Sequence, residues 1–407
     1  VPLTDRVIPI RPMDRAPVSA PRPAVPPPLA LYVHVPWCVR KCPYCDFNSH
    51  PQRGTLPEAS FFAALIADLE AALPDIWGRR VISLFIGGGT PSLLSPDSVD
   101  RLLAAVRARL SCAPGMEITL EANPGTVEAA RFAGFRAAGV NRLSLGVQSF
   151  SDGPLQALGR IHDGDGARRA LAIAREVFDR VNVDLMYALP GQTPELALAD
   201  VETALAFEPT HLSCYELTIE PNTAFAHQPP VLPDEDCAAD IHDAIESRLL
   251  DAGWSHYEVS AYARPGHACT HNLNYWQFGD YLGIGPGAHS KLTLPDGIQR
   301  AQRHPHPDAY LSRAGKGDFL QSQHRVPAEE LPVEFMLNAL RLSDGFAFDL
   351  FEARTGLPFA TLQPDLERFA AQGLITLNDG RVRPTARGFR LANTMLSALL
   401  DRRYQEP

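Results

Sequence analysis

From Leu29 onward, short apolar runs alternate with longer Ala- and Leu-rich stretches whose apolar positions recur at helical spacing. The runs predict strands at Leu31–Val35, Val81–Ile86, Glu117–Glu121, Arg142–Val147, Val181–Met186 and His211–Leu217. The stretches between them predict helices over Pro57–Leu73, Pro96–Leu110, Val127–Ala138, Gly164–Phe178 and Pro194–Phe207, the first opening on a proline, which an N-terminal turn tolerates. Repeated strand–helix alternation implies a parallel sheet. Gly87 to Thr90, Glu121 to Asn123, Gln148 and Asp184 fall within or just after the carboxyl ends of successive strands, as in a barrel whose site gathers at one rim. The expected fold class is therefore α/β, a partial (β/α)6 barrel over residues 30–265.

The flanks differ in pattern. Residues 1–29 are dense in proline and lack apolar periodicity, which predicts a disordered arm. Residues 266–324 are read as a connecting region carrying His271-Asn-Leu-Asn-Tyr-Trp276, and residues 325–407 as a C-terminal winged-helix-like domain. In the last, helices precede alternating apolar positions around Asn378-Asp379-Gly380, a strong hairpin signal.

Composition narrows the function classes. The 407 residues suffice for one large and one smaller domain, and 45% hydrophobic with 21% charged residues is ordinary globular usage. A formal net charge of -10 gives no overall basic field, so no nucleic-acid partner is expected, and the winged segment is read as structural or partner-docking. No apolar stretch approaches membrane-span length. Cys112, Cys214, Cys237 and Cys269 are scattered without framework spacing and are read as small buried hydrophobes in a cytoplasmic, reducing setting.

The other three cysteines, Cys38, Cys42 and Cys45, crowd into eight residues after the first predicted strand. Thiolates are preferred iron–sulfur ligands, and a Cys-x3-Cys-x2-Cys loop can bring three sulfurs onto three corners of a 4Fe-4S cube, leaving one iron open. Structural zinc is the alternative, but it ordinarily takes two separated Cys/His pairs, and beside His34 and His50 no second knuckle follows. The spacing, its place after a strand and the enclosed Tyr44 resemble the radical S-adenosylmethionine (SAM) superfamily. That resemblance implies that the three cysteines hold the cluster, that SAM chelates the fourth iron through its amino and carboxylate groups, and that the fold is the partial barrel.

The rim residues carry chemistry of their own. Gly87-Gly88-Gly89-Thr90-Pro91 lets backbone approach a ligand closely. Glu121 offers an acceptor for a ribose hydroxyl or ammonium, Gln148 an amide, Arg160 a planar fork for a carboxylate and Asp184 a second ribose contact. The ordered set Gly-Gly-Gly-Thr-Pro, Leu-Glu-x-Asn-Pro, Gly-Val-Gln-Ser-Phe and Asp-Leu-Met-Tyr-x-Leu-Pro-Gly resembles the branch containing oxygen-independent coproporphyrinogen III oxidase. Carried over residue by residue, it implies SAM contacts at Tyr32, Tyr44, Gly88, Gly89, Thr90, Glu121, Gln148, Arg160 and Asp184. The oxidase has a further cysteine where this chain has Phe47 and a characteristic N-terminal segment that residues 1–29 do not match, so the pattern departs from the oxidase.

The hexapeptide at His271 combines an imidazole, a common haem ligand, with flat aromatic neighbours. It resembles the signature of the HemW haem chaperones within the same superfamily, as does the loop ending Cys-Pro-Tyr-Cys-Asp-Phe-Asn-Ser-His. This implies a protein that binds a 4Fe-4S cluster, SAM and haem, and passes haem to acceptor proteins, membrane-associated ones included, without oxidase activity. His271 is the implied haem ligand, with His289 and Cys269 as the next candidates; an electron donor to the cluster is implied, and monomer and homodimer stay open. The alternatives are a true coproporphyrinogen III oxidase and, on the winged segment, a DNA-binding regulator.

Overall fold

A computed structural model describes residues 22–126 and 129–405, the side chains of 126 and 401–405 excepted. Six strands, β1 (Leu29–Val35), β2 (Arg80–Gly88), β3 (Ser111–Ala122), β4 (Arg142–Gln148), β5 (Arg180–Tyr187) and β6 (His211–Glu216), lie side by side in chain order, each parallel to the next. Helices Glu58–Ile76, Pro96–Arg109, Ala129–Ala138, Gly164–Val177 and Pro194–Ala206 connect them. Three of these begin on side-chain caps: Ser95, Asp163 and Thr193 accept from the amides of Ser98, Gly166 and Leu196. The predicted start of the third helix, at 127 and 128, lies outside the described residues.

Alternation along each strand sorts the side chains. Leu31, Val33, Ile118, Leu120, Leu143, Leu145, Val181, Val183 and Leu212 join one large apolar core under the helices. Their neighbours in the period of two, among them Glu121, Ser144, Asn182, Asp184 and Ser213, line a cavity on the concave side. The barrel interior is thus polar where a closed eight-stranded barrel would be packed with branched apolar residues.

The sheet does not stop at β1. Asp280–Ile284 pairs parallel with the other edge of β1, and His289–Leu294, Gly297–Arg303 and Leu320–Arg325 continue antiparallel beyond it. At the far end Ala261–Ala263 and Ser255–Glu258 pair antiparallel beyond β6. The result is a twelve-stranded sheet whose two end strands, Leu320–Arg325 and Ser255–Glu258, are not neighbours, so it curves without closing. Much of the expected connecting region 266–324 is therefore part of the barrel sheet. It is pinned there by Asp280, which is fully buried and accepts from Arg79 Nη1 (2.8 Å), Lys291 Nζ (2.8 Å), Thr293 N (2.7 Å) and Thr293 Oγ1 (2.9 Å).

The arm expected to be disordered is docked where it is described. Pro27 O accepts from Arg79 Nη2 (2.5 Å), Pro28 O from the Asp280 amide (2.9 Å), and Arg22 donates to Pro295 O (3.0 Å), while 1–21 lie outside the described residues.

Beyond 325, helices Leu331–Ala339, Phe348–Thr355 and Gln363–Ala371 precede the hairpin Ile375–Asn378/Arg381–Pro384. Asp379 (φ 53°) and Gly380 (φ 70°) are both left-handed, as a two-residue type I′ turn requires. Phe346–Ala347 adds a third strand beside Arg381–Pro384, giving the winged-helix order around a separate core that includes Phe335, Phe351 and Phe369.

Candidate functional site

The loop after β1 is pinched at its base by a short parallel pair, Trp37–Cys38 against His50–Pro51, with Gln52 N donating to Cys38 O (2.7 Å) and His50 N to Pro36 O (2.7 Å). This holds Cys38, Cys42 and Cys45 at the mouth of a cavity of about 450 Å³, which all three line. Burial pushes the Cys38 and Cys45 thiols up, against hydrogen bonds from Thr90 and Ser49 that favour the thiolate. Among the described residues only His242, Asp243 and Glu246 bring three donor atoms within 4.8 Å of one another. The three thiols are not all within 4.8 Å of one another, a wider spacing than the roughly 3.8 Å between sulfurs that share one tetrahedral ion at about 2.3 Å.

The glycine turn at the end of β2 is bonded to this loop: Gly89 N donates to Val35 O and Thr90 N to Trp37 O, both at 2.7 Å. A Cβ at Gly89 would stand 2.5 Å from Trp37 O, and one at Gly88 (φ 116°) 2.7 Å from the His34 ring, so only glycine lets the two segments close up. Gly88 N donates to Glu121 Oε2 (3.0 Å). Burial, reinforced by the field of Asp184, pushes the Glu121 carboxyl up to about 8; burial likewise raises Asp184, against hydrogen bonds from Asn182 (2.8 Å) and Ser144 (3.1 Å).

Two buried polar atoms on the wall have no partner. Gln148 sits at a bulge with φ +69°, a conformation unusual for a side-chain-bearing residue, and its Oε1 is buried and unsatisfied. Arg160 donates from Nη2 to Gly146 O (2.6 Å) and from Nη1 to Tyr44 OH (3.4 Å) and Cys42 Sγ (3.6 Å), while its Nε is buried without a partner. Part of the expected carboxylate fork is therefore spent on fastening the cysteine loop to β4. Three thiols, a glycine cradle and unsatisfied donor and acceptor atoms on one wall fit a cluster together with a polar, amino-acid-bearing cofactor.

All the sequence-predicted cofactor contacts line this cavity except Tyr32. Tyr32 lies on β1 with its OH 3.0 Å from His34 Nδ1, and Phe85, stacked 6.3 Å from it, lines the cavity instead. His271 is not on the wall either. It belongs to the helix Thr270–Trp276, whose first amides, Thr270 N (3.2 Å) and His271 N (3.1 Å), donate to Glu117. The ring packs 5.0 Å from Phe85 and 6.4 Å from Tyr32, with Nδ1 3.2 Å from Ser83 Oγ, and burial lowers its pKa to about 4, so it is neutral. The helix lies against the early residues of β2 and β3, and its Asn272 reaches the cavity. His289 is exposed at the start of its strand. Cys269 is fully buried against Glu117 Oε1 (3.4 Å), and burial pushes its thiol up to about 12.

Sequence reasoning missed Arg142, Ser144, Asn182 and Ser213 on the wall. Counting back in twos from Gln148 and Asp184 reaches the first three, which is the signal that could have found them.

Comparison with known proteins fits this geometry. The Radical SAM superfamily model matches residues 32–203, and the HemN C-terminal domain model matches 326–391. "Heme chaperone HemW" of Escherichia coli strain K12 is 49% identical over 376 residues, covering 92% of this chain and 98% of that one. The chain belongs to the HemW family. "Radical S-adenosyl methionine domain-containing protein 1, mitochondrial" of Mus musculus is 39% identical over 386 residues, covering 91% and 87%. Among solved structures, the coproporphyrinogen III oxidase HemN from Escherichia coli superposes with a TM-score of 0.77 at 26% identity, covering 91% of this chain and 90% of that one. Phe47, two residues beyond the last cysteine of the loop, is 59% exposed and lines the cavity. No helix among the described residues is long and apolar enough to cross a membrane.

Proposed function

We propose that this protein is a haem chaperone of the HemW kind, which holds a 4Fe-4S cluster on Cys38, Cys42 and Cys45, binds SAM along the rim and passes haem to acceptor proteins in the cytoplasm. The observation that carries this reading is the 49% identity to a named haem chaperone across nearly the full length of both chains. The cavity supports the cofactor part: the cluster supplies an open iron and low-potential electrons when bound, Gly88, Gly89 and Thr90 bring backbone to the ligand, and Glu121, Gln148, Arg160 and Asp184 supply its polar partners. His271 serves as haem ligand in this reading. It is neutral, as iron ligation requires, and the helix Thr270–Trp276 that carries it is held to the barrel by Glu117.

Haemin titration of the anaerobically reconstituted protein tests this. The expected result is a saturable Soret shift that weakens in His271→Ala and persists in His289→Ala, with iron and labile sulfide lost when all three cluster cysteines are serine. Absence of any saturable haem binding by the wild type overturns the reading. The structural likeness to HemN favours a second one, oxidation of coproporphyrinogen. Anaerobic incubation with coproporphyrinogen, SAM and a reductant is expected to yield no protoporphyrinogen, and product would establish that alternative.

A further inference from the structure

The deepest part of the cavity contains a cation that the cofactor reading does not use. Arg142 opens β4, six residues before Gln148, so its Cα lies about 20 Å of extended strand from the rim. Its residue is 3% exposed, yet it lines the cavity. Its guanidinium makes no hydrogen bond, and no ion pair within 4.0 Å, with any described residue. The nearby acids are engaged elsewhere. Glu117 takes Arg180 (3.0 Å), the Thr270 and His271 amides and the Cys269 thiol, and Asp184 takes Ser144 and Asn182. Its nitrogens open onto the cavity rather than into packed protein, so its five N–H groups are left for water or a ligand to meet there.

A second open donor faces the same floor. Asn272, on the helix that lies across the early strands, lines the cavity; its Oδ1 shares the single Cys269 S–H with Glu117 Oε1, each 3.4 Å from the sulfur, which leaves Nδ2 to donate. Asn182 and Ser213 cannot compete for this role, because Ser213 Oγ donates to Asn182 Oδ1 (3.1 Å) and Asn182 Nδ2 donates to Ser144 Oγ (2.7 Å) and Asp184. The open groups are thus donors only, which selects an anion. One positive charge flanked by Glu117 and Asp184 repels a dianion such as phosphate and suits a monoanion with two acceptor oxygens.

We infer that the barrel floor is a binding subsite for a carboxylate on a second ligand, seated on Arg142 and Asn272 below the cofactor residues of the rim. Two sources supply that chemistry, a free small carboxylic acid and a propionate arm of a tetrapyrrole. The first stands apart from the haem reading and the second rests on it.

The test uses the full chain with its cluster reconstituted anaerobically, as wild type, Arg142→Met, Arg142→Lys and Asn272→Ala. Thermal unfolding is followed at constant ionic strength with sodium propionate and with uncharged propionamide, and Soret titrations compare haemin with haemin dimethyl ester. For a free acid, propionate raises the wild-type Tm while propionamide does not, the rise vanishes in Arg142→Met and returns in part in Arg142→Lys. For a tetrapyrrole arm, wild type prefers haemin to its diester by about tenfold or more, the equivalent of one charge-assisted contact, and Arg142→Met binds both with the diester's affinity. If Arg142→Met does not fold, Asn272→Ala carries the test and must reduce the same discrimination. The inference is overturned if wild type distinguishes neither propionate from propionamide nor haemin from its diester, or if discrimination is unchanged in Asn272→Ala and in whichever Arg142 variants fold. A wild type that binds neither haem compound but responds to propionate refutes the haem chaperone reading and leaves this subsite standing.

Discussion

Glu117→Gln isolates the contact that holds the helix Thr270–Trp276 against the barrel. The carboxylate is 3% exposed, accepts from Thr270 N and His271 N at 3.2 and 3.1 Å, and pairs with Arg180 at 3.0 Å. Glutamine keeps one acceptor oxygen and turns an NH2 group toward donors, so it forfeits one charge-assisted bond of about 1.5–3 kcal/mol. The Arg180 pair adds no more than about 1 kcal/mol, since that side chain is 27% exposed and screened by solvent. The sum is a loss of about 3 kcal/mol, equivalent to an opening equilibrium for the helix raised on the order of a hundredfold. Urea unfolding and hydrogen exchange at the amides of 270–276 measure the two quantities. Burial would raise the Glu117 carboxyl, but Arg142 and Arg180, with the two amides, hold it below the ordinary glutamate value of 4.5. Its stabilisation is therefore complete above pH 4.5 and lost as pH falls through the lower folded value, so wild type and Glu117→Gln should converge in acid. A difference under about 0.5 kcal/mol at pH 7, with exchange unchanged, would show that aromatic packing and not Glu117 secures the helix.

Three further outcomes are expected. Gly89→Ala drives a methyl to 2.5 Å from Trp37 O and 3.1 Å from Cys38 Sγ, so cluster occupancy, read as iron and sulfide per chain, falls well below wild type; unchanged occupancy contradicts the close-approach argument. The Glu121 carboxyl, pushed up to about 8 by burial and the Asp184 field, is protonated at pH 7 and ionised at pH 9. SAM affinity measured by equilibrium dialysis should accordingly rise across that interval, Glu121→Gln should flatten the profile, and a flat wild-type profile counts against an ionised acceptor there. Asp280→Asn leaves the ammonium of Lys291, 1% exposed, without its charged partner and costs about 3–5 kcal/mol in chemical unfolding; adding Lys291→Met should restore part of the loss, and strict additivity of the two changes argues against coupling.

Several features were legible from the chain alone because their causes are local. The three clustered cysteines need only a turn to share one cavity mouth, the six apolar runs alternating with helical stretches declare a parallel sheet, and Asn378-Asp379-Gly380 contains the left-handed pair that a tight hairpin needs. The segment around Asp280 was not legible, because its place beside β1 depends on ion pairs with Arg79 and Lys291, the first of them 201 residues away. The same holds for His271, whose flank of aromatic residues suggests an open ligand but whose ring is enclosed by Ser83, Phe85 and Tyr32 from two distant strands. Sequence determined which side chains alternate along each strand. Only the assembled sheet decided that one set faces a shared interior, where Arg142 meets the cavity while Tyr32 lies packed against Phe85 and His271.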